Sequence, residues 1–157
     1  MSLTAREVET LIREGVPMAN DIDLRVELIA DKRALARIPF NDRMLRPGGS
    51  LSGPVQMALS DATMYAAVLG TLGAVEMAVT SNLSINFLRR PAAVDLYADA
   101  RVLKMGARLA YCEVRLTSAV DGVYDEHSEL VAHVTGTYAL PGPLSPPPVG
   151  GNADAHR

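Results

Sequence analysis

Two hydrophobic periods divide this chain. Near the start, Val8, Leu11 and Ile12 recur at helical spacing behind Thr4-Ala5-Arg6-Glu7, which has the form of a capping box. The spacing predicts a helix over about 4–14, ended by Gly15 and Pro17. Across residues 22–40 the period changes to two. Ile22, Leu24, Val26 and Leu28 alternate with polar partners, Asp31-Lys32 makes a turn, and Ala34–Phe40 returns as a second strand. Residues 41–54, with Pro47, Gly48, Gly49, Gly53 and Pro54, read as a loop. Residues 54–72 then predict a helix that is apolar on nearly all sides and therefore buried on most of them, with Gly70 and Gly73 as its exit. Period two resumes in Thr80–Leu88, Asp95–Met105, Arg108–Thr117 and Glu129–Leu140, the last with a bulge expected at Gly136.

One apolar helix buried against an antiparallel sheet is an α+β arrangement. The far face of the sheet and part of the helix still need cover, which points to an oligomer. Three segments follow: 1–20 as an N-terminal helix and lead-in, 21–141 as the domain, and 142–157 as a tail. Residues 141–157 hold five prolines and three glycines, so disorder is expected there.

Composition narrows the classes. Apolar residues are 48% and charged residues 21% of 157, enough for one cored globular domain. Net charge is −3, which gives no footprint for nucleic acid. The start of the chain lacks the apolar stretch of a signal peptide, and the single cysteine, Cys112, fits a reducing compartment, so a cytoplasmic protein is expected. Cys112 and His133 sit in strand patterns and read as sheet residues. With no Cys/His cluster, no metal is expected. Residues 55–75 are apolar, but they are rich in small residues and carry Asp61 in mid-run. A buried helix is expected and no membrane span.

Asp61 is the only charged residue between Arg46 and Glu76. A carboxylate in so apolar a run must be paired, hydrogen-bonded or kept for its chemistry. Its surroundings suggest which. Gly49-Ser50-Leu51-Ser52-Gly53-Pro54-Val55-Gln56-Met57-Ala58-Leu59-Ser60-Asp61 resembles the loop-and-helix motif of hotdog-fold acyl-CoA thioesterases of the phenylacetate-pathway (PaaI-like) type. That motif reads His-Gly-Gly, four residues, Leu, one residue, Asp. Val79–Pro91 is similar to the family's Thr-x-x-x-x-Ile-x-Phe-x-x-Pro strand, and Asp95–Arg101, Lys104–Arg108 and Ala132–Tyr138 fall in the family's order. The resemblance covers roughly residues 40–141 and departs in two places. Ser52 stands where the motif has His, and Pro54 where it has a second Gly. The polar residue that commonly precedes the motif falls here in Arg46-Pro47-Gly48, so Arg46 is its candidate substitute.

The resemblance implies a hotdog fold, with an antiparallel sheet wrapped around a long central helix, and hydrolysis of acyl-CoA thioesters. Thioester hydrolysis needs an activated water or a nucleophile, and a donor for the developing oxyanion. Asp61 is expected as general base or nucleophile. Gly53 is expected as oxyanion donor, because the start of a helix presents unpaired N–H groups. Thr80 matches the family's hydroxyl position and would hold the water. Eight residues of helix separate Gly53 from Asp61, about 12 Å, so one chain cannot bring both to one carbonyl. Gly53 of one subunit must therefore face Asp61 of another, as in the family's shared sites. A homodimer or homotetramer is expected. Ser52 and Arg46 complete the loop side. Arg89, Arg90, Lys104 and Arg108 are the cations available for the coenzyme A phosphates. Coenzyme A comes with the substrate, and no other cofactor is expected. Two other functions compete. A hotdog dehydratase would need a His beside its carboxylate, and no His lies between residues 1 and 126. A non-catalytic acyl-ligand binder would keep the fold and lose the base.

Overall fold

A computed structural model describes residues 2–142, so most of the 142–157 tail lies outside the described residues. Helix α1 (Ala5–Gly15) opens on the expected capping box. Thr4 Oγ1 accepts from the Glu7 N–H, and the Glu7 carboxylate accepts from the Thr4 N–H at 2.8 Å. Val8 and Ile12 of α1 are fully buried in the main core. A short helix, α2 (Met18–Asp21), follows Pro17 and was not expected, because four residues are too few to show a period. Arg13 clamps this lead-in: its guanidinium donates to the Leu24 carbonyl and to Asp23 at 2.6 Å. Glu9 accepts from the Val26 N–H at 2.8 Å.

Strands β1 (Arg25–Ala30) and β2 (Arg33–Ile38) form the early hairpin. Helix α3 (Gly53–Leu72) is the predicted buried helix. Pro54 sits in its first turn, where a missing N–H costs nothing, and Gly73 at φ 88° ends it. Gly70 is inside the helix and is not part of its exit. A Cβ there would stand 2.6 Å from Ile29 of β1, so Gly70 permits close helix–sheet approach. Strands β3 (Val79–Phe87), β4 (Leu96–Met105), β5 (Leu109–Ser118) and β6 (Ala132–Ala139) complete one antiparallel sheet in the order β1-β2-β4-β5-β6-β3. Strand β3 leaves α3 for the far edge of the sheet and lies against β6 only. Among the described residues its other backbone edge is unpaired over nine residues, a surface that proteins rarely leave open.

The inner sheet face packs on α3 through Ala34, Ala36, Ala98, Ala100, Val114 and Val134, among others. These short side chains let a helix of Ala, Leu, Val and Met sit close. The expected bulge at Gly136 is absent; the register shift lies instead in β3, between Thr80 and Asn82. Gly136 is required for a different reason. A Cβ there would come 2.7 Å from the Met64 sulfur and methyl carbon and 3.0 Å from the Asn82 carbonyl. Among the described residues no helix is long and apolar enough to cross a membrane.

The outer face of β2 and β4 is covered by the chain's own charges and by the β5–β6 connection. Asp99 is 2% exposed. Arg33 grips it with two hydrogen bonds of 3.0 Å, and the Tyr124 hydroxyl donates to it at 2.8 Å. Burial pushes the Asp99 carboxyl up, but the bonds from Arg33 and Tyr124 and the charges of Arg33 and Arg101 outweigh it and hold the group below its ordinary value. Arg33→Ala is expected to cost about 3 kcal/mol at pH 7, because it strands a buried carboxylate. A depressed carboxylate stabilises the fold above its unfolded pKa of about 4 and loses that contribution as pH falls through its folded value. Urea unfolding at pH 7 and pH 3 should therefore show a smaller penalty at pH 3.

Candidate active site

Asp61 lies half-buried on the third turn of α3, at the edge of the buried stripe that includes Leu59, Thr63, Met64 and Ala67. Its Oδ1 accepts two hydrogen bonds, from Thr80 Oγ1 at 2.6 Å and from the Tyr138 hydroxyl at 2.7 Å. The Tyr138 hydroxyl also lies 3.0 Å from the Asp61 carbonyl oxygen. Oδ2 makes no hydrogen bond among the described residues. The donors are set by the sheet: Thr80 of β3 pairs directly with Tyr138 of β6, so both side chains rise from the inner face under Asp61. Tyr138 is 4% exposed, and burial, then the Asp61 charge, pushes its phenol far above the ordinary value. It is thus a neutral donor throughout the working pH range. Tyr65, one turn beyond Asp61 on α3, stacks on Tyr138 with ring centroids 5.9 Å apart and planes 3° from parallel. Its own hydroxyl donates to the Glu76 carbonyl at 2.9 Å. A cavity of about 500 Å³ opens beside Asp61, Thr80 and Tyr138.

The start of α3 forms a second place. Gly53, Arg46, Arg89 and Arg90 line a pocket of about 590 Å³, together with Gln56 and Phe87. The Gly53 N–H has no acceptor among the described residues, as expected for the first residue of a helix. A Cβ on Gly53 would stand 3.2 Å from the Phe87 ring. Arg89 is ion-paired to Glu129, while Arg46 and Arg90 have no ion pair among the described residues. Ser52 caps the helix by position, but its side chain makes no capping hydrogen bond. Gln56 is buried, and its Oε1 has no hydrogen-bond partner among the described residues.

Lys104 and Arg108 form a third place. They flank the β4–β5 turn and line a groove of about 570 Å³ with Tyr111 and Thr137, which alternation puts on the outer sheet face. The structure thus joins Asp61 with Thr80, and Gly53 with Arg46, Arg89 and Arg90, but keeps these groups and the Lys104–Arg108 pair apart within one chain. Two expectations for single residues hold. Cys112 is buried, with its thiol pushed up to about 11 by that burial, and His133 is a sheet residue 2.8 Å from Glu113. Tyr65 lines the Asp61 cavity, Met64 is core, and Met57 is exposed on α3.

A carboxylate oxygen held by two hydroxyls, with its second oxygen free of hydrogen bonds among the described residues and the residue lining a cavity, suits activation of water or attack on an acyl carbon. The family model of the thioesterase superfamily matches residues 48–124, from the loop before α3 to the residues after β5. The chain belongs to the thioesterase superfamily. A Saccharolobus solfataricus protein provisionally named as an esterase is 30% identical over 139 residues, covering 88% of this chain and 86% of the relative. A structure from Silicibacter sp., provisionally named as a thioesterase, is 34% identical and superposes with a TM-score of 0.76, over 88% of this chain and 92% of that one. The Escherichia coli PaaI protein from the phenylacetic acid degradation operon shares the fold, with a TM-score of 0.74 at 20% identity, over 88% and 94% of the two chains. The fold is the hotdog fold, and the family makes this superfamily member a hydrolase of thioesters or related esters. Tyr138 lies beyond the matched residues, and the sequence alone gave it no role.

Proposed function

We propose that the protein hydrolyses acyl-CoA thioesters at a site completed by two subunits. The observation that carries this reading is the Asp61 carboxylate at the cavity wall, fixed through Oδ1 by Thr80 and Tyr138, with no hydrogen bond to Oδ2 among the described residues. Oδ2 takes a proton from water, and the hydroxide forms a bond to the thioester carbonyl carbon. The tetrahedral oxyanion is met by a helix-start N–H. It then collapses, the C–S bond breaks, and the coenzyme A thiolate leaves and is protonated. Direct attack by Oδ2 gives a mixed anhydride that water then opens to the same products. The donor must be Gly53 of the partner subunit, because eight helical residues, about 12 Å, separate the two groups in one chain. The open edge of β3, next to both groups, is where a second copy of the chain can add.

Arg46 and Arg90, beside the start of α3, suit the anionic half of coenzyme A, and Arg89 joins them by exchanging Glu129 for phosphate. Lys104 and Arg108 are a second cation pair that extended phosphates reach from the surface. No cofactor is needed beyond the coenzyme A of the substrate, and a cytoplasmic homodimer or homotetramer is the setting.

A second reading, a non-catalytic acyl-CoA binder, draws on Ser52 in place of the motif His and on the missing N–H of Pro54. Free-thiol release from a panel of acyl-CoA thioesters separates the two. The hydrolase reading expects turnover with at least one thioester. Binding of every thioester without thiol release would establish the binder.

A further inference from the structure

The cavity beside Asp61 is enclosed by a part of the chain that the family match does not reach. Its roof is the α1–α2 segment, through Leu11, Val16, Met18 and Ile22. The roof is fixed in place. Arg13 binds the Leu24 carbonyl and Asp23, and Glu9 binds the Val26 N–H, so α1 is tied to the start of β1 and to the residues that lead into it. Its floor is α3, where Ala58 and Ala62 flank Asp61 and stop at Cβ. One wall is Tyr65, whose polar tip is spent on the Glu76 carbonyl and whose ring faces the space.

Charge decides what fits. The charged side chains on the lining are Asp61 and Glu76, both acidic, and no Lys, Arg or His of the described residues joins them. An acyl group ending in a carboxylate would bring a third negative charge into this cavity, where no cation of the same chain lines the space to meet it. A two-carbon acyl group would leave most of about 500 Å³ of apolar space unfilled.

We propose that this cavity is the acyl pocket, that its occupant is an uncharged apolar acyl group of medium size, and that the roof over residues 11–22 sets that size. The proposal rests on the acyl-CoA reading above for the identity of the ligand. Each buried methylene is worth about fourfold in affinity or specificity. Four methylenes separate octanoyl-CoA from butyryl-CoA, so the first should exceed the second by about 250-fold in kcat/KM, and succinyl-CoA should be the poorest of the three. Phenylacetyl-CoA against octanoyl-CoA tells an aryl occupant from an alkyl one.

Two variants narrow the space from opposite sides: Ala62→Leu in the floor, and Val16→Trp at a roof position that is 40% exposed and so tolerant of size. Each should shrink the octanoyl-to-butyryl ratio about tenfold. The same ratio is read without catalysis from calorimetric binding of S-octyl- and S-butyl-coenzyme A, which cannot be hydrolysed. If no thioester turns over but the thioethers show the ratio and the variants shrink it, the pocket stands and hydrolysis fails. If succinyl-CoA matches octanoyl-CoA, if the ratio stays unchanged in folded variants, or if neither thioether binds, the proposal is overturned.

Discussion

Asp61→Asn is expected to lower kcat about a thousandfold with little change in thermal midpoint, which is the usual scale for loss of a general base. Asn keeps an oxygen where Oδ1 stands, so Thr80 and Tyr138 still have an acceptor. What the variant loses is the charge and basicity of Oδ2. Asp61 is half-buried at the cavity wall rather than locked in the core, so removing its charge should not unfold α3. Thiol release and a melting curve on the same sample check both halves. A structural carboxylate would give the reverse pattern, with the midpoint falling and the surviving folded protein fully active. Incubation in ¹⁸O-water adds a mechanistic arm. Label in the Asp61 side chain after many turnovers identifies an anhydride opened by water at the Asp61 carboxyl carbon, and label in the acid product alone excludes that route and places the attack of water on the acyl carbon.

Tyr138→Phe should lower kcat about tenfold and leave KM within about twofold, the signature of a lost hydrogen bond that matters after binding. The ring stays, so the stack with Tyr65 and the packing of β6 survive. Thr80 alone then holds Oδ1, and the carboxylate can swing toward the Asp61 carbonyl side. Thr80→Val should act in the same direction. The double variant should lose less than the two single losses combined, because both hydroxyls serve one oxygen. A rise in KM with kcat unchanged would reassign Tyr138 to packing the substrate.

These two donors differ in how far sequence reveals them. The helix around Asp61 was legible because an apolar run without Pro or Gly breaks has one reading at that length. The capping box of α1 and the alternation of β2, β4 and β5 were legible for the same local reason; the alternation expected through Val26 and Leu28 was broken by a register shift between them, which leaves Leu28 exposed and turns Ile29 toward Gly70 of α3. Tyr138 was not, since its role depends on the pairing of β3 with β6, and strand order is a long-range property. Gly136 illustrates the same limit. A glycine in a strand signals either a bulge or a close approach, and only the position of Met64 decides between them. The roof of the cavity depended on α2, four residues with no period to detect. The cover of the outer sheet face depended on Tyr124 reaching Asp99 from a distant loop. The distance from Gly53 to Asp61, by contrast, followed from residue counting alone, and the structure places the two in separate pockets.

That separation makes the shared site the central claim, and mixing two inactive variants tests it. Asp61→Ala removes the carboxylate. Gly53→Pro removes the helix-start N–H at a position where proline is tolerated, and the exposed Phe87 ring can yield to the added atoms. In a mixed dimer one site combines the intact Gly53 of the first variant with the intact Asp61 of the second, while the other site lacks both. After subunit exchange at equal amounts, half the dimers are mixed and each carries one working site. The mixture should then recover about a quarter of native activity from two samples that are inactive alone. A mixture that stays inactive, with mixed dimers verified by native mass spectrometry, would contradict a site shared between subunits.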